Sequence, residues 1–165
     1  MQITSAGANK MLRALRDERS YLERMEERSR EYVLAENEKQ EPPAYDYEET
    51  TAKMQEIDRK ICRIKHAVNV FNTTTVLEKQ GITIDEALVK MAQMTQARLR
   101  LEDMRSRLPK TRHESYGHSS LIEYAYLNYD VKKVQEDYRK LNEEIMELQL
   151  ELDACNQTRT FELEL

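Results

Sequence analysis

Apolar residues recur along the chain at alternating spacings of three and four, the pattern of a helix with one buried face. The spacing predicts four helices, over about 8–37, 49–73, 83–108 and 130–156. Long one-sided stripes of this kind must pack against other helices, and short connections make neighbouring helices antiparallel. We therefore expect a single all-α domain, 1–165, built as an elongated antiparallel four-helix bundle of two long helical hairpins.

The four stripes differ in quality. The second is unbroken and consists of Met54, Ile57, Ile61, Ile64, Val68 and Phe71. The fourth is the strongest and consists of Val131, Val134, Tyr138, Leu141, Ile145, Leu148, Leu152 and Cys155. The third is rich in methionine, which we interpret as core packing. The first is interrupted by Glu18 and Ser29, which leaves part of its face for a partner.

Proline, glycine and capping residues set the boundaries of these helices. The Pro42–Pro43 pair cannot continue the first helix, because proline lacks an amide hydrogen. In "TIDE", Thr83 is expected to cap the third helix and Glu86 to return the hydrogen bond. Gly81 permits the turn before that cap, and Asp130 is the expected cap of the fourth helix.

Two stretches near the C-terminal end lack helical periodicity. The tyrosine-rich segment "HSSLIEYAYLNYD" and the alternating segment "TRTFELEL" predict short extended or β segments around 120–129 and 158–164. The two segments could pair with each other, although such a short pair is marginal unless it is covered.

Charge and targeting signals narrow the class of protein. The chain has 26 basic and 31 acidic residues and a net charge of -5, which argues against general nucleic-acid binding. The opening residues contain no apolar signal-peptide core, and no apolar run approaches the ~20 residues that span a bilayer. We therefore expect a cytoplasmic protein with no membrane partner, in which Cys62 and Cys155 are buried thiols outside any disulfide.

The chain offers little catalytic or metal-binding chemistry. Cys62 and His66 share a helix face, but no second pair completes a metal site. Histidines at 113 and 118 lie with Glu114, Ser115 and Ser119 in a loop segment, which lacks the rigid scaffold that a catalytic triad needs. No glycine-rich phosphate loop is present. We predict a protein that is not an enzyme, with no catalytic residue, metal or cofactor.

A basic run on and after the third helix is the first candidate for ligand binding. It consists of Arg98, Arg100, Arg105, Arg107, Lys110 and Arg112. With the nearby tyrosines it could hold a small anion or a nucleotide, and Arg98 and Arg105 are the residues we select. The alternative is that these cations complement the helix dipole and solvate its outer face.

A group of asparagines is the second candidate. In an up-down-up-down bundle the second and fourth helices end at the same pole, which would make Asn72 and Asn156 neighbours, with Asn69 one turn before Asn72. Amides both donate and accept hydrogen bonds, so the group could read a base or a ribose. The alternative is that the amides bind one another and the helix-end carbonyls.

The asparagines also belong to a recognisable motif. Val68-Asn69-x-x-Asn72-x-x-Thr75-x-Leu77, followed by Gly81-x-Thr83-x-x-Glu86-Ala87-Leu88, resembles a motif of small uncharacterised bacterial helical proteins labelled septicolysin or septicolysin-like. Asp130-Val131-x-x-Val134-Gln135, with Leu141, Glu144, Leu148, Leu152 and Asn156, is similar to the last helix of that family. The resemblance covers about 57–158 and adds Thr75 to the candidate ligand-binding residues.

The chain departs from the family pattern at two places. Relatives usually carry an Arg-Asp pair where this chain has Met91-Ala92, and an aromatic residue where it has Gln157. The family label implies a cytolysin, and the resemblance implies a bacterial or phage origin, but it supplies no catalytic residue.

Three functions from different classes follow from these observations. The first is a non-enzymatic, self-associating structural or interaction module, a homo-oligomer formed through helix faces or the tyrosine-rich segment. The second is an oligomeric binding protein for a small anionic or nucleotide-like ligand. The third is the secreted cytolysin that the family label implies.

Overall fold

The computed structural model describes residues 1–113 and 122–165, and most of them are helical. The helices are α1 (Ser5–Ser29), α2 (Tyr47–Thr74), α3 (Ile84–Ser106) and α4 (Val131–Thr158). The strands are β1 (Gln2–Thr4), β2 (Val76–Leu77), β3 (Ile82–Thr83), β4 (Lys110–His113), β5 (Glu123–Tyr126) and β6 (Thr160–Glu162). The mainly helical class is therefore confirmed, with the addition of three short two-stranded sheets, β1-β6, β2-β3 and β4-β5.

The chain divides into two compact units. The first unit contains Met1–Thr75 and Ala154–Leu165, and the second contains Val76–Asp153. The boundary between Asp153 and Ala154 falls inside α4, so this one helix contributes residues to both units.

The first unit is built on the antiparallel packing of α1 and α2. Its core consists of Ala8 and Leu12 from α1, Ile64 from α2 and Leu163, each at most 5% exposed. Apolar side chains packed around them are Ile3, Met11, Leu15, Ile61, Ala67, Val68 and Phe161. The unbroken stripe predicted for the second helix is thus the face of α2 that turns inward, and it includes the buried residues Ile57, Ile64 and Phe71.

Strands β1 and β6 close this unit. Ile3 pairs with Phe161, and the backbone groups of Met1 and Leu163 exchange two hydrogen bonds of 2.8 and 2.9 Å. The ring of Phe161 lies 4.9 Å from the ring of Phe71, measured between centroids. The end of α2 therefore lies beside the strand that follows α4.

The first helix begins and ends earlier than the sequence predicts. Thr4 caps it, because its hydroxyl accepts a hydrogen bond of 3.1 Å from the amide of Gly7. It ends at Ser29 and not near residue 37, although no proline occurs before Pro42. The physical reason is burial: Val33 is 93% exposed, and a helix gains most of its stability from packing an apolar face.

The second unit begins with a tight β2-β3 hairpin that leads directly into α3. Gly81 takes a positive φ of 66° in the turn, and Thr83 and Glu86 form the predicted capping box. Asp130 also behaves as predicted, since its carboxylate accepts a hydrogen bond of 2.8 Å from the amide of Lys132 at the start of α4. Buried apolar residues of this unit are Leu77, Ile84, Ala87, Met94, Val134, Ile145, Leu148 and Leu152.

The two extended segments are present, but they do not pair with each other. Strand β5 pairs with β4, which follows Pro109, and β6 pairs with β1. Pairing of β4 with β5 is favoured because these strands are close in sequence, so the hairpin needs little loop closure. Residues 120 and 121 of the predicted segment lie outside the described residues.

The two cysteines differ. Cys155 is buried as predicted, but Cys62 is exposed, and neither forms a disulfide. Cys62 follows the partly buried stripe residue Ile61 by one position, and on a helix that step turns the side chain by about 100° away from the core. Its prediction as a buried thiol was wrong for that reason.

Candidate functional site

The asparagines on α2 occupy different environments although they lie one turn apart. Asn69 is exposed, and its backbone carbonyl accepts a hydrogen bond of 3.0 Å from the hydroxyl of Thr73. Asn72 is half-buried, and its side-chain oxygen is buried with no hydrogen-bond partner among the described residues. A buried polar atom without a hydrogen-bond partner costs free energy. Within the predicted cluster, the side-chain oxygen of Asn72 is the atom that carries this cost.

The other two members of this cluster are also half-buried. Thr75 is the C-cap of α2, and its amide donates a hydrogen bond of 2.9 Å to the carbonyl of Phe71. Asn156 lies in the last turn of α4. Within the described part of the chain, no hydrogen bond joins the side chains of Asn69, Asn72 and Asn156. The described residues therefore do not show these amides bound to one another, and whether they contact a ligand stays a prediction.

The basic run lies in the second unit, and two of its arginines, Arg105 and Arg107, are paired with acidic residues. Arg107 makes bidentate contact with Asp103, with distances of 2.8 and 3.0 Å. Arg105 donates a hydrogen bond of 2.7 Å to Glu102. That bond raises the pKa of Arg105 above its ordinary value. Arg98 is half-buried on α3. The local positive charge of α3 is accordingly smaller than the sequence implies.

Arg105 has a second partner that the sequence did not assign. Its guanidinium carbon lies 4.0 Å from the centroid of the Tyr138 ring. The Tyr138 hydroxyl and then Arg105 lower the pKa of the Glu102 carboxyl, so that side chain stays ionised. Arg105 thus stacks on the Tyr138 ring as a cation–π pair, and its charge-assisted hydrogen bond to Glu102 holds the guanidinium in place.

An open cavity of about 380 Å³ surrounds this stack. It is lined by Arg105, Gln135, Tyr138, Arg139, Asn142, Glu143 and Met146. The cavity therefore combines an aromatic and guanidinium surface, two neutral amides, a second arginine and the carboxylate of Glu143. Its volume is within the range of about 300–1,000 Å³ typical of small-ligand sites. These groups suit a planar ligand that stacks on an aromatic ring and has hydrogen-bonding edges.

The sequence analysis selected Arg105 but did not select the residues of α4 that line this cavity. Gln135, Arg139, Asn142 and Met146 follow one another at spacings of four and three, so they share a helix face next to the apolar stripe. Polar residues at this spacing normally indicate a solvated face, which is why the signal was overlooked.

The remaining cations of the run lie on the β4-β5 hairpin. Lys110 pairs with Tyr126 and Arg112 with Tyr124, and directly paired residues share one face of a sheet. The ammonium of Lys110 lies 4.0 Å from the Tyr124 ring and 5.3 Å from the Tyr126 ring. Strand β5 of the tyrosine-rich segment is thus exposed, and one face of the β4-β5 sheet is aromatic and basic.

The residues considered for catalysis and metal binding are not brought together. His66 and Cys62 are exposed on α2, and His113 is exposed on β4. Glu114, Ser115, His118 and Ser119 lie outside the described residues. In residues 1–113 and 122–165, no group of three or more His, Cys, Asp and Glu side chains is arranged to hold a metal ion. The same part of the chain contains no helix long and apolar enough to cross a membrane.

The fold is that of a mainly helical protein with small sheets, and comparison with known proteins defines it no further than that class. No protein-family model and no curated protein match the chain. A solved structure of a functionally unknown conserved protein from Corynebacterium diphtheriae is similar to it, with a TM-score of 0.68 and 17% identity. The likeness covers 98% of this chain and 100% of that chain. At this identity it shows the fold alone, and the resemblance to septicolysin-like proteins stays a prediction.

Proposed function

We propose that the protein is a non-enzymatic helical module that self-associates through the outer faces of α3 and α4. The observation that supports this is a pair of exposed apolar stripes. Leu88 and Leu99 are 47% and 54% exposed on α3, and Met146 and Leu150 are 57% and 63% exposed on α4. Each pair is spaced by whole helical turns, so its members share a face.

These side chains lie outside the core positions of the same helices. Ala87 and Met94 of α3, like Ile145 and Leu148 of α4, are at most 9% exposed. Each helix therefore has a buried apolar face and a second, exposed apolar stripe. A helix that is apolar on more than one face is typical of a surface that receives a partner.

The size of the stripes predicts the strength of self-association. Full burial of a large apolar side chain gives about 1.5–3 kcal/mol, and each of these is already half covered, so the four offer about 3–6 kcal/mol per copy. Two copies in a symmetric contact offer roughly twice that amount. Association costs an estimated ~4–15 kcal/mol in lost freedom, so we expect a dimer that depends on protein concentration and is sensitive to one added charge.

Light scattering and sedimentation over a range of micromolar concentrations test this proposal. We expect the wild type to dimerise and the variants Leu99→Glu and Met146→Glu to weaken the dimer at least about tenfold, because each places a charge in the contact. Val89→Glu is the matched control, because Val89 is 55% exposed on α3 but is turned away from Leu88. A monomeric wild type at all these concentrations, or equal loss in the control, would contradict the proposal.

A second function is favoured by the cavity around Arg105 and Tyr138. The stack, the amides of Gln135 and Asn142, and Arg139 together support binding of a nucleotide-like ligand. A thermal-shift screen of nucleotides tests it, since a ligand at 100 times its Kd stabilises the fold by ~2.7 kcal/mol. Arg105→Gln is expected to remove the shift, while Arg107→Gln, whose arginine is held by Asp103 and does not line the cavity, keeps it.

A further inference from the structure

A second cavity, in the first unit, runs between α2 and the end of the described chain. It has a volume of about 700 Å³. One wall is formed by α2 residues that include Arg63, His66, Val70 and Thr74, and the other by the consecutive residues 161–165. Successive side chains of a strand point to opposite faces. A cavity that is lined by every residue of an extended segment therefore follows the edge of that segment, and we call it the β6-edge groove.

The edge that faces this groove has unused backbone groups. Leu163 exchanges both of its backbone hydrogen bonds with Met1 on the β1 side, at 2.8 and 2.9 Å. In an antiparallel pair the neighbouring residues direct their N–H and C=O groups to the opposite side, so those of Glu162 and Glu164 point to the outer edge. No described strand pairs with that edge. An open edge beside a cavity is the arrangement that accepts an added strand.

The walls of the groove suit an apolar strand. Val70 is 47% exposed on α2, and the stacked rings of Phe71 and Phe161 lie at one end. Ala67 also lines the α2 wall, and its short side chain leaves room for a backbone. Arg63 and His66 on α2 stand across from Glu162 and Glu164, so the groove has basic and acidic walls. The added strand would thus be selected by backbone pairing and by apolar side chains.

The chain itself contains a segment with these properties. Tyr32, Val33 and Leu34 are 53%, 93% and 36% exposed in the connection between α1 and α2. Tyrosine and valine favour strands, and these residues form no strand in the described structure. Glu31 and Glu36 flank the segment and are complementary in charge to the α2 wall. None of these three adjacent apolar residues is buried within the chain, and Val33 is almost fully exposed.

This segment cannot reach the groove of its own chain. The hydrogen bond of 2.7 Å between Tyr45 and Glu26 places the end of α1 beside the start of α2. Arg63 lies sixteen residues beyond Tyr47, about 24 Å along the helix. Val33 is three residues from Arg30 and extends at most about 11 Å from it. The segment Tyr32–Leu34 could therefore enter this groove only from a second copy of the chain.

We propose that the β6-edge groove binds the segment Tyr32–Ala35 of a second copy as an additional strand on β6. In a two-fold symmetric pair each copy gives its segment to the groove of the other, so the contact is closed and does not propagate. The inference rests on the proposed self-association and specifies a second contact, in the first unit, besides the α3 and α4 stripes.

Directed cross-linking between two differently tagged chains tests this contact. Both chains carry Cys62→Ser, which removes the exposed native thiol; one also carries Val33→Cys and the other Val70→Cys. The chains are mixed in a thiol–disulfide buffer, and the disulfide-linked pair of unlike chains is measured on a non-reducing gel. We expect it to form at least about tenfold faster than in a control in which Gln40→Cys replaces Val33→Cys, because Gln40 is exposed in the same connection but lies outside the segment.

The outcomes separate this inference from the proposed function. Equal cross-linking in both mixtures, or no cross-linking in either, would overturn the proposed contact. The groove would then be empty or would hold a peptide of another protein. Light scattering of the same Cys62→Ser chains reports self-association independently. Chains that self-associate and respond to Met146→Glu, but give no selective disulfide, would leave the proposed function standing and remove only this contact. Circular dichroism of each cysteine variant confirms that it is folded, and both altered side chains are exposed in the wild type.

Discussion

The two connections that border α2 differ in how they are held. The connection from α2 to α3, Thr75–Thr83, is a hairpin in which Leu77 pairs with Ile82 and the amide of Gly81 donates to the carbonyl of Leu77 at 2.7 Å. The connection from α1 to α2, Arg30–Asp46, forms no strand, and most of its residues are exposed. The short connection is held by its own hydrogen bonds, whereas the long connection leaves apolar side chains available to a partner.

Local hydrogen bonding accounts for the difference. In the short connection a side chain outside the turn also contributes, because Glu151 of α4 accepts a hydrogen bond of 2.8 Å from the amide of Lys79. Between residues 31 and 45 of the long connection, the hydrogen bonds are those of a local turn at Ala35 and Glu38 and the bond from Tyr45 to Glu26. A segment held by so few bonds keeps its conformational entropy and can order on binding.

The largest effect is expected at the turn of the short connection. Gly81→Val should destabilise the protein by about 1–3 kcal/mol, because a β-branched residue is strained at a φ of 66°. The space around Gly81 is open, so the cost is conformational and not steric. Gly81→Asn is the control, since asparagine tolerates this conformation. Chemical denaturation measures both, and equal stabilities for the two variants would contradict the interpretation.

The cap that follows the turn should have a smaller effect. Thr83→Ala is expected to cost ~1 kcal/mol, because the amide of Glu86 loses the hydroxyl that accepts its hydrogen bond at 3.2 Å. Thr83→Ser keeps the acceptor and should stay close to the wild type. Unfolding midpoints in urea distinguish the two, and similar losses in both variants would show that packing of the methyl group matters more than the cap.

The same cap makes stability depend on pH. The backbone N–H of Thr83 donates to the Glu86 carboxylate at 2.8 Å and lowers its pKa below the ordinary 4.5. A lowered pKa in the fold gives a contribution that is present above the ordinary value and is lost as pH falls through the lowered one. Glu86→Gln should therefore be less stable than the wild type at pH 7, and the difference should shrink in acid. A difference that is constant from pH 7 to about 3 would argue against the carboxylate.

The long connection should tolerate replacement. Exchanging Glu36–Glu41 for glycine and serine at equal length should change the free energy of unfolding by less than about 0.5 kcal/mol, because these residues are exposed. The same exchange over Tyr32–Ala35 should also leave stability unchanged but weaken self-association. Sedimentation of the two variants side by side decides whether the segments differ as proposed.

The smallest effect is expected at Tyr45. Its hydrogen bond to Glu26 raises the pKa of Tyr45 to about 12. A raised pKa in the fold means that this contribution is fully present below about pH 10, the ordinary value, and is lost as pH rises through about 12. Wild type should therefore lose stability relative to Tyr45→Phe within that window and not below it. Parallel curves for the two proteins up to pH 11 would contradict the hydrogen bond.

The sequence predicted elements better than contacts. The number of helices, the Thr83 cap and the inward stripe of α2 depend on local spacing, and the structure confirms them. The sequence analysis missed the early end of α1. That end depends on whether Tyr32–Leu34 pack against another part of the protein, and the local sequence pattern contains no information on such packing. Pairing of β6 with β1 was missed for a related reason, since the three residues Gln2–Thr4 are too few to show alternation.

The candidate sites show the same limit. Arg105 could be selected from a run of cations, but its partner Tyr138 depends on the register of α3 against α4. The β6-edge groove was invisible, because Glu162 and Glu164 count as an unpaired edge only once Leu163 is known to bond to Met1. Asn72 was selected from its expected place at the end of the second helix, and the structure adds that its side-chain oxygen is buried without a partner among the described residues.

The β1-β6 sheet also constrains the order of events during folding. Its partners, such as Ile3 and Phe161, lie nearly the whole chain apart, whereas Val76 and Thr83 of the β2-β3 hairpin are close in sequence. Loop closure for the distant pair costs about 3 kcal/mol more. During translation this sheet cannot form until Phe161, the partner of Ile3, has been synthesised. The α1–α2 pair therefore completes its core only after translation has passed the last turn of α4, and until then a chaperone has access to the apolar side chain of Ile3 in β1.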